Sequence, residues 1–583
     1  MAGDSGVSPA AGAATPLAGA DGEPFAVLAE THTSTLLMLG DRVYKIKKAV
    51  KLPFVDLSTR ELRLANCRRE IELNRRTAPD VYLGVGEFTE PGAEASEPVV
   101  VMRRMPAERS LSSLLKAGRR AEAARCVDEV AELIARFHAS LDAEKHYDLP
   151  GTMASLWREG WEQTQRFARS PADHSTPHRA VAVPGSALVE GGRGEPGAVT
   201  GAGHCEGGRG EPGNVLGAGL AVGDPRESAL LDREALDETY ALATEYLAGR
   251  RPMLTAREQA GLVRDGHGDL LADDVYLLAD GPRVLDCLEF DRRLRLGDVL
   301  LDLAFLMMDL ELHGAPELAR ALVDKYRQLD AGQHPRSLEH HYVAYRAWVR
   351  AKVECLRYEA GDPGARERAG AALELARSEA RAARVHLVAI GGLPGTGKST
   401  VAREIVESDE RDWALLSSDR IRKQLAGLDP TAEVTTAFAT GIYDTAHTAA
   451  TYAEMARRAA TALERGVSVI LDASWTDSRE RAVLQRLATD HHAALTQVRC
   501  DAPLDVCRAR ITARREGPRV SDADHAVLHG MSQHAAPWPE ALTLDTTVPS
   551  QSAATHVLEA LDDRLVRRGD TRDAFERAVC AFT

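Results

Sequence analysis

A glycine-rich segment between an apolar run and a helical pattern carries the clearest chemistry in this sequence. Residues 385–391 read Val-His-Leu-Val-Ala-Ile-Gly, and residues 392–399 match the pattern G-x-x-x-x-G-K-[ST]. In such a loop, backbone N–H groups surround phosphate oxygens, the lysine reaches the β- and γ-phosphates, and the hydroxyl ligates Mg²⁺. The predicted ligand is ATP or GTP with Mg²⁺. The predicted binding residues are Gly392, Leu393, Pro394, Gly395, Thr396, Gly397, Lys398, Ser399 and Thr400, of which Ser399 is also a metal ligand.

Two carboxylates follow strands near this loop. Asp419 comes after the apolar run that ends at Leu416, and Asp472 ends the apolar run 467–471. Ligands of open α/β sheets bind at the carboxyl ends of the strands, so both are candidate site residues. Asp472 is predicted to be a second ligand for Mg²⁺ or its water. For Asp419 the alternative is a helix N-cap, because Asp accepts backbone N–H bonds there.

A second acidic group lies earlier in the chain. Residues 262–277 and 284–290 predict a hairpin with Asp269 and Asp286 at its mouth. One carboxylate can accept the proton of a substrate hydroxyl while another holds Mg²⁺. A surface hairpin with acidic turns is the alternative interpretation.

The elements around these residues fall into three groups. Strands at 25–28, 31–39, 42–47, 81–85 and 99–102 with a helix from Ser58 to about Arg76 predict a small α+β unit. Helical patterns follow from Leu111, including 232–249, 299–312, 316–330 and 339–360. After residue 385, strands at 413–416, 467–471 and 495–499 alternate with helices at 446–465 and 478–489, which predicts a parallel sheet covered on both faces.

Composition narrows the class of protein. A chain of 583 residues is too long for one core and suggests three or four domains. There is no membrane-spanning run or signal peptide, and the eight cysteines form no C-x-x-C pair, so a cytoplasmic protein without a zinc site or disulfide framework is expected. A net charge of −15 disfavours, without excluding, a nucleic-acid partner and favours a small-molecule acceptor. The oligomeric state is open.

The first acidic site resembles a known family. His267-Gly268-Asp269-Leu270, Asp286 and the helix 297–304 resemble aminoglycoside phosphotransferases and related small-molecule kinases. Residues 43–48, 67–70 and 74–76 resemble bacterial proteins in which such a domain is fused to a P-loop ATP-binding domain of the AAA type.

This resemblance implies four roles. Lys45 would bind the α- and β-phosphates, Glu70 would pair with Lys45, Asp269 would be the catalytic base and Asp286 would hold Mg²⁺, with Glu72 as an alternative partner of Lys45. Two positions depart from the family pattern: Leu271 and Asp274 stand where His and Asn are usual. Asp274 can still ligate Mg²⁺ through oxygen but adds a negative charge, so this domain would be a weak kinase or a pseudokinase.

The second site resembles P-loop kinases. Asp419 and Arg422 form a D-x-x-R pattern similar to zeta-toxin, gluconate-kinase and polynucleotide-kinase proteins. The resemblance implies that Asp419 is the general base and that Arg422 clamps the anionic part of the acceptor. It also implies a mobile lid carrying a catalytic arginine, for which Arg514 is the choice among arginines 508, 510, 514 and 515. A solvated basic helix face is the alternative for each of them.

These patterns predict a multidomain α+β and α/β protein. The expected order is a disordered tail (1–22), a kinase-like N-lobe (23–107), a kinase-like helical C-lobe (108–375), a linker (376–384) and a P-loop kinase domain (385–583). A disordered insertion is expected at about 170–227, where residues 190–197 are repeated at 206–213. The predicted function is transfer of the ATP γ-phosphate to small-molecule hydroxyls. The alternatives are a nucleotide-switched regulator with a ligand-binding pseudokinase domain and a polynucleotide 5′-kinase.

Overall fold

The structure is a computed structural model that describes most of the chain. The described residues are 15–18, 24–31, 33–52, 55–89, 96–168, 229–329, 333–429, 441–513 and 524–567. The predicted insertion at about 170–227 and the choice of Arg514 therefore lie outside the described residues.

The first part of the chain forms an antiparallel sheet with a helix packed on it. Its strands are β1 (Thr15–Ala18), β2 (Pro24–Glu30), β3 (Ser34–Leu39), β4 (Arg42–Lys47), β5 (Lys51–Leu52), β6 (Val55–Asp56), β7 (Tyr82–Phe88) and β8 (Glu97–Arg103). Six of them form one sheet in the order β1-β2-β3-β4-β8-β7, and β5 pairs with β6. Helix α1 (Arg60–Asn74) packs on β7 and β8. Its N-cap is Thr59 rather than Ser58, because the Thr59 hydroxyl accepts the N–H of Leu62.

The expected disordered tail is wrong at residues 15–18. These residues pair with β2 in antiparallel register, with Thr15 opposite Leu28. An edge strand such as β2 offers unpaired backbone groups, so even a short segment with little apolar surface gains hydrogen bonds there. Composition alone does not reveal this partner.

Helices and short strands form the next part. The helices are α2 (Leu111–Lys116), α3 (Arg120–Ser140), α4 (Leu149–Thr164), α5 (Arg233–Gln259), α6 (Arg292–Arg295), α7 (Val299–Leu312), α8 (Pro316–Leu329), α9 (Arg336–Glu359) and α10 (Ala365–Ala382). The strands are β9 (Val263–Asp265), β10 (Val275–Leu278), β11 (Gly281–Val284) and β12 (Leu296–Asp298), paired as β10-β11 and β9-β12. Helix α7 is buried from Val299 to Leu310, so the other helices surround it.

Two of these helices differ from the sequence prediction. Helix α5 continues ten residues beyond 249 despite Pro252, because its last turns are held by buried Leu254 and by an ion pair of Arg257 with Asp298 at 2.6 Å. Residues 376–382, expected as a linker, are the end of α10, and Ala376 and Ala380 are buried in its packing. Small residues let this helix lie close to α9, so most of the expected linker is helix packed against the helical part.

The last part is a five-stranded parallel sheet, which confirms the predicted fold of this region. Its strands are β13 (His386–Gly391), β14 (Trp413–Ser417), β15 (Ser468–Asp472), β16 (Ala494–Asp501) and β17 (Leu542–Asp545), in the order β14-β15-β13-β16-β17. The helices are α11 (Lys398–Ser408), α12 (Ser418–Leu425), α13 (Thr445–Glu464), α14 (Ser478–Asp490), α15 (Leu504–Ala513), α16 (His525–His534) and α17 (Ser550–Arg567). Strand β17 has no counterpart in the sequence prediction.

The two faces of this sheet have different neighbours. Val388, Ile390 and Ile470 face a small core with α11 and α17. Leu387 and Val469 face α13 and α14 in a core that continues into the helical part, where Trp157 meets Trp348 edge-on at 5.3 Å between ring centroids. The helical part and the parallel sheet therefore share one apolar core. No helix within the described ranges is both long and apolar enough to cross a bilayer.

Arg250 on α5 joins these two parts by polar contacts. Its side chain is fully buried and donates to the backbone oxygens of His491 at 2.7 Å and His492 at 3.1 Å. Burial lowers the pKa of Arg250 to about 10, so it remains protonated at neutral pH. Two carbonyl groups depend on this one guanidinium.

We expect Arg250→Ala to destabilise the protein by about 2–4 kcal/mol, because it leaves a cavity at a fully buried side chain and removes the donors of two partly buried carbonyl oxygens. The midpoint of urea unfolding measured by intrinsic fluorescence would show this loss. Arg251→Ala is the matched control, since Arg251 is exposed and should change stability by less than about 0.5 kcal/mol. Equal midpoints for the two variants would contradict the anchoring role of Arg250.

Candidate functional site

The glycine loop after β13 has the backbone shape of a phosphate cradle. Gly392, Gly395 and Gly397 have φ angles of 142°, 86° and 87°, a region that side-chain-bearing residues rarely adopt. A Cβ on Gly395 would lie 2.5 Å from the backbone oxygen of Cys507, so the loop also needs glycine to pack against α15. Helix α11 begins at Lys398, and its free N–H groups therefore face the loop.

The predicted P-loop residues open into a cavity of about 790 Å³. Lys398, Ser399, Asp419, Asp472 and Arg510 all line it. These residues come from four different elements, and only Lys398 and Ser399 are neighbours in sequence. The structure thus brings the predicted phosphate-binding lysine and both predicted carboxylates to one space.

Asp472 has the features of a cation ligand. Its Oδ1 atom is buried and has no hydrogen-bond partner among the described residues. Burial raises its pKa, against the opposing effects of Lys398 and the Ser399 hydroxyl. A bound cation would compensate this buried carboxylate, and oxygen atoms from Asp472 and Ser399 are ligands that Mg²⁺ prefers. The residues present therefore fit the predicted metal.

Asp419 and Arg422 lie together on α12, as the D-x-x-R pattern places them. Asp419 Oδ1 accepts a hydrogen bond from Arg422 Nη1 at 3.2 Å. Ser417 occupies the N-cap position of α12, so Asp419 lies in the first turn and does not cap the helix. Arg422 is only 8% exposed, and its guanidinium lies 4.6 Å from the ring centroid of Tyr443. This arginine is therefore held in place before any acceptor arrives.

Arg510 is the described arginine that reaches the P-loop. It donates from Nη1 to the backbone oxygen of Gly395 at 3.3 Å and from Nη2 to that of Thr546 at 2.6 Å. The sequence pattern includes Arg510 among four candidates without distinguishing it, because helical spacing alone does not show which arginine faces the loop.

Lys45 lies at the centre of the acidic site in the first part of the chain. Its Nζ is 2.9 Å from Glu70 Oε1 and 2.7 Å from Asp286 Oδ1. Burial alone would lower the pKa of Lys45, but Asp286 and Glu70 outweigh it and raise the pKa well above its usual value. Glu72 instead pairs with Arg69 at the surface, at 3.0 Å. Of the two glutamates considered, the structure thus places Glu70 on Lys45.

A second lysine extends this network. Lys47 Nζ lies 2.6 Å from Glu70 Oε2 and 2.6 Å from Glu289 Oε1, and all three side chains are almost completely buried. Glu70 is therefore shared between two lysines, whose charges lower its pKa against the effect of burial. The sequence pattern does not predict the Lys47–Glu289 contact, because 242 residues separate the partners. This contact joins β4 to the segment that carries Asp286.

Asp269 and Asp274 lie on a loop whose backbone N–H groups donate hydrogen bonds to buried carboxylates. Asp302 accepts the backbone N–H groups of His267 and Gly268, each at 2.7 Å. Burial raises the pKa of Asp269 to about 6, and burial together with Asp286, Asp269 and Asp273 raises the pKa of Asp274 well above its usual value. The surroundings of Asp274 therefore oppose its ionised form.

Asp286 has a backbone conformation unusual for its residue type. Its φ angle is +60°, and its N–H donates to the Tyr82 hydroxyl at 3.1 Å. Lys45 lowers the pKa of Asp286, so this carboxylate is ionised at neutral pH. No group of three or more His, Cys, Asp or Glu within the described ranges is arranged to hold a metal by itself. A Mg²⁺ ion here would also require phosphate oxygens, as is usual for this ion.

We expect Asp269→Asn to stabilise the protein by about 1–2 kcal/mol above pH 7. The folded-state pKa of about 6 exceeds the ordinary 3.8, so ionisation of Asp269 costs stability that grows as pH rises from 4 to 6. The gain should therefore vanish near pH 4. Thermal melts from pH 4 to pH 8 measure it, with exposed Asp142→Asn as control. A gain independent of pH would show that Asp269 titrates normally.

A family model and some solved structures are similar to part of this chain. The model of a family described as "AAA domain" matches residues 387–538. Among solved structures, the Mycobacterium tuberculosis APS kinase CysC in complex with AMPPNP and APS is 22% identical, with a TM-score of 0.25 over 31% of this chain and 98% of its own. A gluconokinase from Sinorhizobium meliloti 1021 is 17% identical, with a TM-score of 0.23 over 32% of this chain and 97% of its own.

Longer matches come from mycobacteria. The uncharacterized protein Rv2004c of Mycobacterium tuberculosis H37Rv is 34% identical over 529 residues, which cover 91% of this chain and 94% of that protein. The uncharacterized protein Mb2027c of Mycobacterium bovis matches to the same extent. Because this identity of 34% extends over 91% of the chain, the chain belongs to the family of these mycobacterial proteins.

Proposed function

We propose that the C-terminal domain is an ATP-dependent phosphotransferase that transfers the γ-phosphate to the hydroxyl of a small molecule. The observation that carries the proposal is that Lys398, Ser399, Asp472 and Asp419 line the same cavity. The first three residues suit Mg·ATP, and the fourth supplies a carboxylate that nucleotide binding alone does not require. The match to an AAA-domain family over residues 387–538 supports the nucleotide-binding part.

Each residue has a separate role in this proposal. The loop N–H groups and Lys398 bind the phosphates, and Ser399 and Asp472 would hold Mg²⁺. When bound, Mg²⁺ neutralises charge on the phosphate oxygens. Asp419 accepts the proton of the acceptor hydroxyl, and the oxygen of that hydroxyl forms a bond to the γ-phosphorus. The bond from that phosphorus to the β–γ bridging oxygen breaks, and ADP leaves.

Arg422 positions the acceptor beside Asp419. Its Nη1 contacts the Asp419 carboxylate, and the Tyr443 ring covers its guanidinium. An anionic or strongly polar group of the acceptor could bind the remaining donors of this buried arginine. A nucleotide-switched regulator would need neither this arginine nor the adjacent carboxylate.

We expect Asp419→Asn to lower kcat for acceptor phosphorylation by about 100-fold or more while ATP affinity changes less than about threefold, because only the proton acceptor is lost. ADP release would be screened with sugars, aminoglycosides, nucleosides and oligonucleotide 5′-ends, followed by calorimetry with ATP. Lys398→Ala is the reference that should lose both activity and ATP binding at this site.

Asp505→Asn makes the same chemical change at an exposed position of α15 and should leave kcat unchanged. If Asp419→Asn and Asp505→Asn are equally active, Asp419 is not the base. If no acceptor in the screen increases ADP release by wild type, the nucleotide-switched regulator becomes the better explanation.

We further propose that the first part of the chain has a kinase-like fold, with lobes at about 23–107 and 108–375, that binds a second ATP. The supporting observation is the ion pair of Lys45 on β4 with Glu70 on α1. Lys45 also contacts Asp286, so phosphates would compete with Asp286 for this lysine. Burial and the neighbouring carboxylates of Asp286 and Asp269 raise the pKa of Asp274, so its surroundings oppose a negative charge beside the phosphates.

We expect the Lys398→Ala protein to retain one ATP site that Lys45→Met removes, since methionine keeps the length of the side chain but not its charge. Calorimetry should show at least about a tenfold loss of affinity, equivalent to about 1.4 kcal/mol. Lys48→Met is the control, because Lys48 pairs with partly exposed Glu30 instead. Absence of ATP binding in the Lys398→Ala protein would contradict this second site.

A further inference from the structure

A groove beside the P-loop site has no role in the phosphoryl transfer described above. It is a cavity of about 500 Å³ between α13 and α14, on the face of the sheet opposite α11. Its walls are mainly apolar and include Tyr452, Met455, Leu471, Trp475 and Leu484. Such an apolar concavity with a few polar groups at its edge is typical of small-molecule sites.

The turn after β15 connects this groove to the nucleotide cavity. Asp472, the last residue of β15, lines the nucleotide cavity, and Trp475, three residues later, lines the groove. Trp475 has a φ angle of +52°, a conformation rare for a bulky residue, and its indole N–H donates to the backbone oxygen of Leu471 at 3.3 Å. Strain of this kind is often found at functional sites. Residues 472–475 thus border the nucleotide cavity at one end and the groove at the other.

The same turn also contacts the P-loop and α13. The backbone oxygen of Ser474 accepts the N–H of Gly392 at 3.1 Å, and its hydroxyl lies 3.3 Å from that of Tyr452. The Tyr452 and Trp475 rings meet edge-on at 5.0 Å between centroids. The groove wall is therefore fixed relative to the phosphate-binding loop.

The groove and the proposed acceptor site are close neighbours, because the charge of Arg422 acts on Glu480, which lines the groove. The Nε atom of Arg422 is buried without a hydrogen-bond partner among the described residues, and Arg422 also contacts Asp419. Glu480, in the first turn of α14, lines the groove, and burial raises its pKa. The groove thus combines polar lining residues, namely Thr445, Thr448, Asp477, Arg479 and Glu480, with the apolar wall formed by Tyr452, Met455, Leu471, Trp475 and Leu484.

We infer that the acceptor of the proposed phosphotransferase carries an apolar ring system that lies against Tyr452 and Trp475, while its reacting hydroxyl lies near Asp419. This inference rests on the proposed function of the C-terminal domain. A simple sugar or polyol would leave its hydroxyls without partners against Met455 and Leu484, which disfavours its binding. An aryl group gains both apolar contact and edge-to-face ring contacts there.

Matched pairs of acceptors test this inference. Methyl β-D-glucoside and 4-nitrophenyl β-D-glucoside carry the same sugar hydroxyls, as do the corresponding galactosides, and only one member of each pair has an aromatic ring. Calorimetry with the full-length protein and ADP should show at least tenfold tighter binding of the aryl member in at least one pair. Equal binding within both pairs, or no binding of either pair, overturns the inference.

A groove-filling variant then locates the binding. Ala453 is exposed on α13 and lines the groove, so Ala453→Phe should remove the aryl preference while leaving ATP affinity unchanged. Ala450 is also exposed on α13 but does not line the groove, and Ala450→Phe should keep the preference. Retention of the preference in Ala453→Phe overturns the inference.

Three further outcomes separate this inference from the proposed function and from its alternatives. ATP-dependent phosphorylation of a polyol with no aryl preference would support the phosphotransferase and overturn the apolar acceptor. Aryl binding that Ala453→Phe removes, without ADP release for any acceptor, would place a ligand in the groove and overturn its role as an acceptor. A wild-type dimer that Ala453→Phe dissociates, without aryl binding, would assign the groove to a second copy of the chain.

Discussion

The pairing of β15 with its two parallel neighbours, β13 and β14, determines where the C-terminal site can form. Strand β13 lies beside β15 in a register that sets Ile390 opposite Asp472, and β14 sets Ser417 opposite the same aspartate. Because parallel strands end at the same edge, this register places the P-loop, Asp472 and α12 around one cavity. A shift of one residue in β15 would turn Asp472 toward the opposite face. Strands β13 and β15 are buried along their whole length, so such a shift would also change the packing on both faces of the sheet.

The P-loop and the parallel sheet could be predicted because their signals are local. Gly392, Gly397 and Lys398 lie within seven residues, and the order of strands and helices follows from periodicity. The apolar groove gives no comparable signal, since Tyr452 and Trp475 meet only after α13 and the turn beyond β15 are folded together. Aromatic residues at such spacing would ordinarily indicate core packing.

The two lysines of the acidic site differ in how well their partners could be predicted from the sequence. The contact between Lys45 and Glu70 follows from a family resemblance, whereas the contact of Lys47 with Glu289 crosses 242 residues and has no motif. The expected linker fails for a similar reason, because alanines that look uninformative in sequence are buried along α9. In each case a partner elsewhere in the chain decides the structure, and one sequence does not identify that partner.

Helix α13 has consequences beyond the groove that it lines. Its opposite side packs against α5, and just after its end Gly466 accepts a hydrogen bond from Ser337 at 2.7 Å. A side chain at Gly466 would lie 2.6 Å from that serine hydroxyl, so the contact leaves no free space. P-loop enzymes commonly close around their substrates. Any rotation of α13 would strain this contact, so the packing on the helical part opposes independent movement of the helix that lines the groove.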